Sequence, residues 1–302
     1  MTREKFLQLM EERPYLRRMG KGKLSRRYKV DPEDVVWCRE HLQGAKKSGA
    51  KILLFDTETA PLAGWLFSRW DQNLGLDQTI HEWFMICWSA KWLGENRVMS
   101  DCLTSEEAIE QDDSRIMFSL WKLIDEADII VAHNLNGADE KWMNTRFILN
   151  GLMPPSPYMK VDTLQVAKNR FGFSSNKLDN LATQFGIENK LKTDFNLWKG
   201  CLMGDEDCLN KMAKYNCKDT EILEQVYLRL LPWIKNHPPI NVIEEDDVCP
   251  NCGGHHYNKI RDRYFITNAN KYELYRCEDC GGVFRNKKAL EINKSNFVKC
   301  SH

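Results

Sequence analysis

The chain has 302 residues, enough for about two domains, and its 42% apolar and 28% charged residues are those of an ordinary globular protein, which excludes fibrous and disordered classes. No window approaches the ~20 apolar residues of a membrane span, and the opening "MTREKFLQLMEERP" is charged where a signal peptide would be apolar, so no membrane is expected as a partner. The net charge of zero hides a segregation: residues 1–50 carry 13 Lys and Arg against 7 Asp and Glu, residues 249–302 carry 10 against 5, and the middle carries 20 against 31.

Basic ends around an acidic centre suggest a polyanion partner, or else an uneven scatter of surface charge. Residues 2–42 read as short helices. "GKLSRRYKVDPEDVVWCREHL" predicts a helix at 23–29, a turn at Val30–Asp31 and a second helix from Pro32, with Asp31 as N-cap and Glu33 and Asp34 at the positive helix end. Leu24, Tyr28, Val30, Val35 and Val36 would pack the helices together, as in a helix-turn-helix or any small helical hairpin. This basic module spans 1–48, with "GAKKSGA" at 44–50 as a linker.

From residue 51 the pattern is α/β. Strands are predicted at 51–57, 83–92, 97–103, 128–133 and 158–162, and helices at 113–126, 137–150, 162–170, 176–185 and 205–231. One mixed sheet with helices on both faces accounts for that order. "NHPPINVIEEDD", 236–247, reads as a linker that closes a domain running over 51–235.

The first strand ends in "ILLFDTET". Side chains alternate along a strand, so Asp56 and Glu58 share a face. Burying two like charges costs several kcal/mol each unless a partner compensates, and a divalent cation does so naturally. A strand end that has reached water would serve as well. In "IIVAHNLNGADEKW" a buried strand ends in a polar turn and Asp139 opens the next helix, as a cap or as a further carboxylate. In "YNCKDTEILEQVYLRLL" Tyr215 and Asp219 lie four apart, on the face that continues through Ile222, Leu223, Val226 and Leu230.

A strand with Asp-x-Glu, a strand followed by Asp, and a late helix with Tyr-x-x-x-Asp together resemble the DEDD superfamily of 3′→5′ exonucleases, which have a ribonuclease H-like fold. The Tyr-x-x-x-Asp spacing resembles its tyrosine subclass, alongside proofreading domains of DNA polymerases and ribonuclease D-like enzymes. "VDTLQVAKNRFGFSSNKLDNLATQFGI", 161–187, is similar to the family's central segment. The resemblance implies that Asp56, Glu58, Asp139 and Asp219 hold two Mg²⁺ or Mn²⁺ ions, one acting on the attacking water and one on the leaving 3′ oxygen. It implies that Tyr215 orients that water, that Leu62 wedges beside the terminal base, and that Thr57 and Asn134 contact substrate. Ala138 stands where the family's second motif often has Phe. The aromatics of "AGWLFSRWDQNLGLDQTIHEWF" would form a platform for bases or pack a local core.

The tail holds "CPNCGG" at 249–254 and "CEDCGG" at 277–282. In a chain with eleven cysteines, an odd number, such CxxC pairs argue for reduced thiols in a cytoplasmic, reducing compartment rather than a disulfide framework. Cys249, Cys252, Cys277 and Cys280 would enclose one structural Zn²⁺, and the segment 248–302 resembles a zinc ribbon. His255 and His256 stand in reserve. The intervening "YNKIRDRYFITNANKYELYR" predicts two strands around a turn at Asn268–Asn270, offering Lys259, Arg261, Arg263 and Arg276 to nucleic acid, or a surface that is solvated or docks protein.

The expectation is a three-part protein: a basic helical head, a ribonuclease H-like core and a zinc ribbon. Its function would be metal-dependent 3′→5′ exonuclease action on single-stranded DNA ends, in a replication or repair setting and with a polymerase or replication assembly as partner. RNA is the alternative substrate, and a nucleic-acid-binding adaptor is the alternative of another class. Compact fusion of small modules suggests a viral or mobile-element source.

Overall fold

The structure is a computed structural model that describes residues 2–12, 21–35, 38, 49–68, 70–71, 73–187 and 193–290. It forms two compact units, 1–49 and 50–302. In the first, helices α1 (Arg3–Glu12) and α2 (Lys21–Tyr28) precede a turn and a helical segment at 32–35. The Glu33 amide donates to Asp31 Oδ1 at 2.8 Å, the predicted cap. Leu24, Val30 and Val35 are buried with Phe6, Met10 and Cys38, while Tyr28 packs at the edge; Val36 lies outside the described residues.

The second unit is built on a five-stranded mixed sheet. Its strands are β1 (Ile52–Thr59), β4 (Met85–Trp92), β5 (Met99–Cys102), β6 (Ile129–Ala132) and β7 (Met159–Asp162), in the order β5-β4-β1-β6-β7. β1 pairs antiparallel with β4 and parallel with β6. All five lie where the sequence predicts strands. The short strands β2 (Ala63–Gly64) and β3 (Thr79–His81) form a separate hairpin that the sequence does not announce.

Alternation along β1 separates two cores. Leu53 and Phe55 join Ile116, Met117, Leu120 and Ile124 of α4 (Ser114–Glu126) and Met143 and Phe147 of α5 (Asp139–Leu149). Ile52 and Leu54 join α6 (Thr163–Arg170), α7 (Leu178–Gln184) and the C-terminal half of α9 (Glu206–Leu230). Two further helices, α3 (Ser105–Glu110) and α8 (Phe195–Leu202), are absent from the prediction. α3 carries its signature openly, since Thr104 and Glu107 form a capping box. Six residues are too few for a visible apolar period.

The tail is a three-stranded sheet of β8 (Tyr257–Ile266), β9 (Lys271–Cys277) and β10 (Val283–Arg285), with the turn at the predicted place. Residues 236–247, expected as a linker, contain a helical turn, α10 (Ile240–Ile243). Its Ile240 is buried in the second core, and Cys252 and Cys280 pack against that same core. The cysteine knuckles are therefore seated on the α/β body.

A buried carboxylate clamps the first core. Asp113 is fully buried and accepts from the Met85 amide (2.9 Å), Arg146 Nε (2.5 Å) and Nη2 (2.7 Å), and Asn150 Nδ2 (2.8 Å). It joins β4, the start of α4 and the end of α5. Removing it strands a largely buried guanidinium, so Asp113→Ala should cost about 3–5 kcal/mol of stability. Urea unfolding of the variant and the parent protein measures this.

Candidate active site and four-cysteine cluster

Asp56 and Glu58 lie on the Leu54 face of β1, where α9 crosses the sheet. There they meet Asp219, whose position on the core-facing stripe of α9 is as predicted. One carboxylate oxygen from each of the three residues lies within 4.8 Å of the others. The β1–β4 register shifts between Glu58 and Thr59, an irregularity of the kind that re-aims side chains beside functional sites. The thiol of Cys87, the β4 partner of Glu58, registers the accumulated charge. Its hydrogen bond with Cys102 and its burial push its pKa up, and the negative charges of Glu58 and Asp56 add to the effect.

α9 is pinned to the sheet at this point. Ser89 of β4 donates its hydroxyl to the carbonyl of Asn216 at 2.8 Å and lies 2.6 Å from the hydroxyl of Thr220. The Asn216 side chain then donates from Nδ2 to Asp56 Oδ2 at 2.7 Å. The core stripe of α9 thus runs through Asn216, which is fully buried, and Tyr215 is turned half toward solvent one turn before Asp219.

Asp139 meets β1 at Thr57. It is not in the three-carboxylate cluster; instead the hydroxyl of Thr57, between Asp56 and Glu58, donates to Asp139 Oδ1 at 2.8 Å. Burial pushes the Asp139 carboxyl up to about 6, against the lowering effect of the Thr57 hydroxyl. Thr57, expected on the substrate side, is buried, and its hydroxyl is committed to a carboxylate.

The turn that delivers Asp139 is organised by a residue that the sequence reading passed over. Asp162, at the end of β7, accepts from the backbone amides of Asn134 and Asn136 at 3.1 Å each and caps α6 through Leu164 and Gln165. Asn134 sits at φ 79°, a left-handed conformation that Asn tolerates. A Cβ at Gly137 would come within 2.4 Å of Asn134 Oδ1, so a larger residue there would displace the Asn134 side chain. His133 bonds through both ring nitrogens, to Thr163 and to the Asn176 carbonyl, as a satisfied structural histidine does. Leu62 is 48% exposed, and beyond it Trp65, Phe67 and Trp70 are 75%, 96% and 79% exposed, so these three rings do not pack a local core.

The four cysteines converge as the second potential metal site. Cys249 Sγ lies 3.8 Å from Cys280 Sγ, and Cys252 Sγ lies 3.7 Å from Cys277 Sγ. A tetrahedral site with metal–sulfur distances of about 2.3 Å has edges of about 3.8 Å. The two knuckles repeat one pattern: Gly254 and Gly282 donate their amides to Cys252 and Cys280, and Gly253 and Gly281 take positive φ of 72° and 77°. The thiols are electrostatically coupled: the hydrogen bond between Cys249 and Cys252 draws the Cys249 thiol down and pushes the Cys252 thiol up. His255 and His256 lie outside the cluster.

Acidic residues gathered at the end of a central strand, in a mixed sheet flanked by helices, define an α/β fold of the nuclease class. The chain belongs to the RNase H superfamily: the family model described as RNase_H superfamily matches residues 53–231, more than half of the chain. Among solved structures, the family B DNA polymerase from the hyperthermophilic archaeon Pyrobaculum calidifontis aligns with 74% of this chain at 15% identity and a TM-score of 0.43. The aligned part is 32% of that polymerase. A search of curated proteins gives no match.

The donor set, three hard carboxylates within reach of one ion, fits Mg²⁺ or Mn²⁺. Asn216 holds one of them in place. Asn216→Ala should weaken Mn²⁺ binding roughly ten- to a hundred-fold, the usual effect of removing a group that orients a metal ligand. Calorimetric titration of Mn²⁺ into both proteins tests this, and equal affinities would exclude a positioning role.

Proposed function

We propose that the chain is a metal-dependent 3′→5′ exonuclease of the tyrosine subclass of the DEDD superfamily, acting on single-stranded ends with DNA favoured. The observation that carries this reading is the convergence of Asp56, Glu58 and Asp219, with Asp139 attached through Thr57 and Tyr215 one turn from Asp219. These four carboxylates would hold two Mg²⁺ or Mn²⁺ ions. Bound there, the ions would acidify a water and offset charge on the leaving oxygen.

The chain's own residues supply position. Asn216 and Thr57 fix the carboxylates, and Tyr215 orients the attacking water. A groove of about 520 Å³ lies beside Asn134 and is lined by His133, Leu164, Lys168 and Lys177 among others; its two lysines suit a phosphate backbone. Leu62 and the exposed rings of Trp65, Phe67 and Trp70 offer apolar surface to unstacked bases. Single-stranded 3′ ends arise in replication and repair, where such an activity would act.

The four cysteines would bind one structural Zn²⁺. Because Cys252 and Cys280 pack on the second core, beside Tyr227 and Ile240, the zinc would stabilise the α/β body as well as the tail. One zinc per chain should co-purify. Cys277→Ser should lose it and should lower the melting temperature of the whole unit, since structural zinc supplies folding free energy. Metal analysis and a thermal melt read both outcomes; a zinc-free protein with an unchanged melt would refute the assignment.

Direction and roles are tested on matched DNA and RNA oligonucleotides labelled at the 5′ end. A ladder shortening from the 3′ end is expected, whereas immediate release of the label would indicate the opposite polarity. Asp56→Asn should abolish turnover and still bind the strand. Tyr215→Phe should slow turnover roughly ten- to a thousand-fold, as loss of a positioned group does, with no shift in the metal midpoint. Asp219→Asn should slow turnover and shift that midpoint together. Equal midpoint shifts in the two variants would refute the tyrosine-subclass assignment.

A further inference from the structure

The cysteine-bearing sheet has two unlike faces. Registry puts Lys259, Glu273, Tyr275 and Phe284 on one of them. There Lys259 is paired with Glu273, Lys271 lies over the Tyr264 ring, and Tyr275 stacks on Phe284, so the charged groups have partners and the rings form a small core. The opposite face carries Phe265, Tyr272, Leu274, Arg276, Val283 and Arg285. It has two cations, and its nearest carboxylate, Glu278 just past β9, accepts from Asn258, the register partner of Arg276. Arg276 and Arg285 donate to the backbone carbonyls of Gly281 and Asn286, and neither is paired with a carboxylate among the described residues.

Arg285 lies over the Tyr272 ring at 4.0 Å and the Phe265 ring at 5.5 Å. Stacking of this kind restrains the guanidinium while its N–H donors remain in plane for phosphate oxygens. Arg276 and Arg285 are diagonal neighbours across β9 and β10, a relation that sets such residues about 7–8 Å apart, close to the spacing of adjacent phosphates in an extended strand. Phe265 remains 45% exposed, with ring surface for a base.

We infer that this face is a second contact site for single-stranded nucleic acid, with Arg276 and Arg285 on consecutive phosphates and Phe265 against a base. It holds the strand away from the carboxylates, because the cysteines are seated near Tyr227, about 12 Å along α9 from Asp219. The inference rests on the reading that the chain acts on single-stranded ends. The sequence alone offered Lys259, Arg261, Arg263 and Arg276 equally; the sheet removes Lys259, which Glu273 neutralises, and adds Arg285.

The test is fluorescence anisotropy of the full-length protein with labelled poly(dT) and a labelled trinucleotide, without added divalent ions, so that binding is read apart from turnover. The Arg276→Gln/Arg285→Gln protein should bind poly(dT) about ten- to a hundred-fold more weakly at low salt. Its log–log salt slope should fall by about 1.4, or ~0.7 per lost phosphate contact on a single strand. Trinucleotide affinity should be unchanged, and Lys259→Gln should behave as the parent does. If Arg276→Gln disturbs the adjoining Cys277, shown by lost metal, Arg285→Gln alone carries the test with half the change in slope.

Unchanged poly(dT) affinity and slope, an equal loss for the trinucleotide, or an equal loss in Lys259→Gln would each overturn the inference. A parent protein that binds poly(dT) through these arginines but releases no nucleotides would refute the exonuclease reading and leave this one standing.

Discussion

The structure depends on keeping carboxylates together that repel one another. Asp56, Glu58 and Asp219 share a half-buried space at the end of β1, and each would be more stable alone in water. Such a cluster persists only where the surrounding groups over-determine it. Asn216 donates to Asp56, Ser89 and Thr220 hold the helix that brings Asp219, and Thr57 holds Asp139. Asp162 and Gly137 shape the turn before Asp139, and Asp113 fixes the helix behind it. Most of the buried polar groups in the core serve this one arrangement.

α9 links the two candidate metal sites. Its Asn216–Thr220 segment lies on β4 and β1, and its Tyr227–Leu230 segment lies against the cysteine knuckles. Tyr227 is buried and donates to His237 Nε2 at 2.8 Å, since His237 Nδ1 is committed to the Pro238 carbonyl. Burial pushes the Tyr227 phenol up, and the nearby sulfurs of Cys252 and Cys280 push it further. One rigid element thus touches carboxylates at one end and thiols at the other, so disorder in the knuckles bears on the wall of the acidic site.

How much of this was legible depended on whether the signal was local. The five core strands and the long helices could be read because their apolar periods are long. The cysteine knuckles could be read because spacing and glycine suffice to make them. Asp219 stood out as a charge on an apolar stripe. Asn216 and Thr220 interrupt the same stripe and could have been noticed for that reason, but Tyr215 drew the phase of the helix one residue early. Asp162 drew no reading from the sequence; it caps α6, and its second role toward Asn134 and Asn136 exists only once β6 and β7 are paired. Asp139 is held through the Thr57 hydroxyl, a contact that exists only once β1 and the turn after β6 are brought together.

Charge explains why such a site needs help from elsewhere in the chain. Residues 51–248 carry eleven more acidic than basic side chains, the site carboxylates among them, on a surface that the proposed phosphate strand would approach. Bound metal ions would correct this only at the site itself. Beyond a Debye length of about 8 Å, exposed charges are largely screened, so attraction has to be supplied close to each phosphate. Lys168 and Lys177 stand beside the Asn134 turn, and Arg276 and Arg285 stand on the cysteine-bearing sheet. On the proposed reading, the acidic cluster would remain strongly negative, as bound cations require, while basic residues placed outside it would hold the strand.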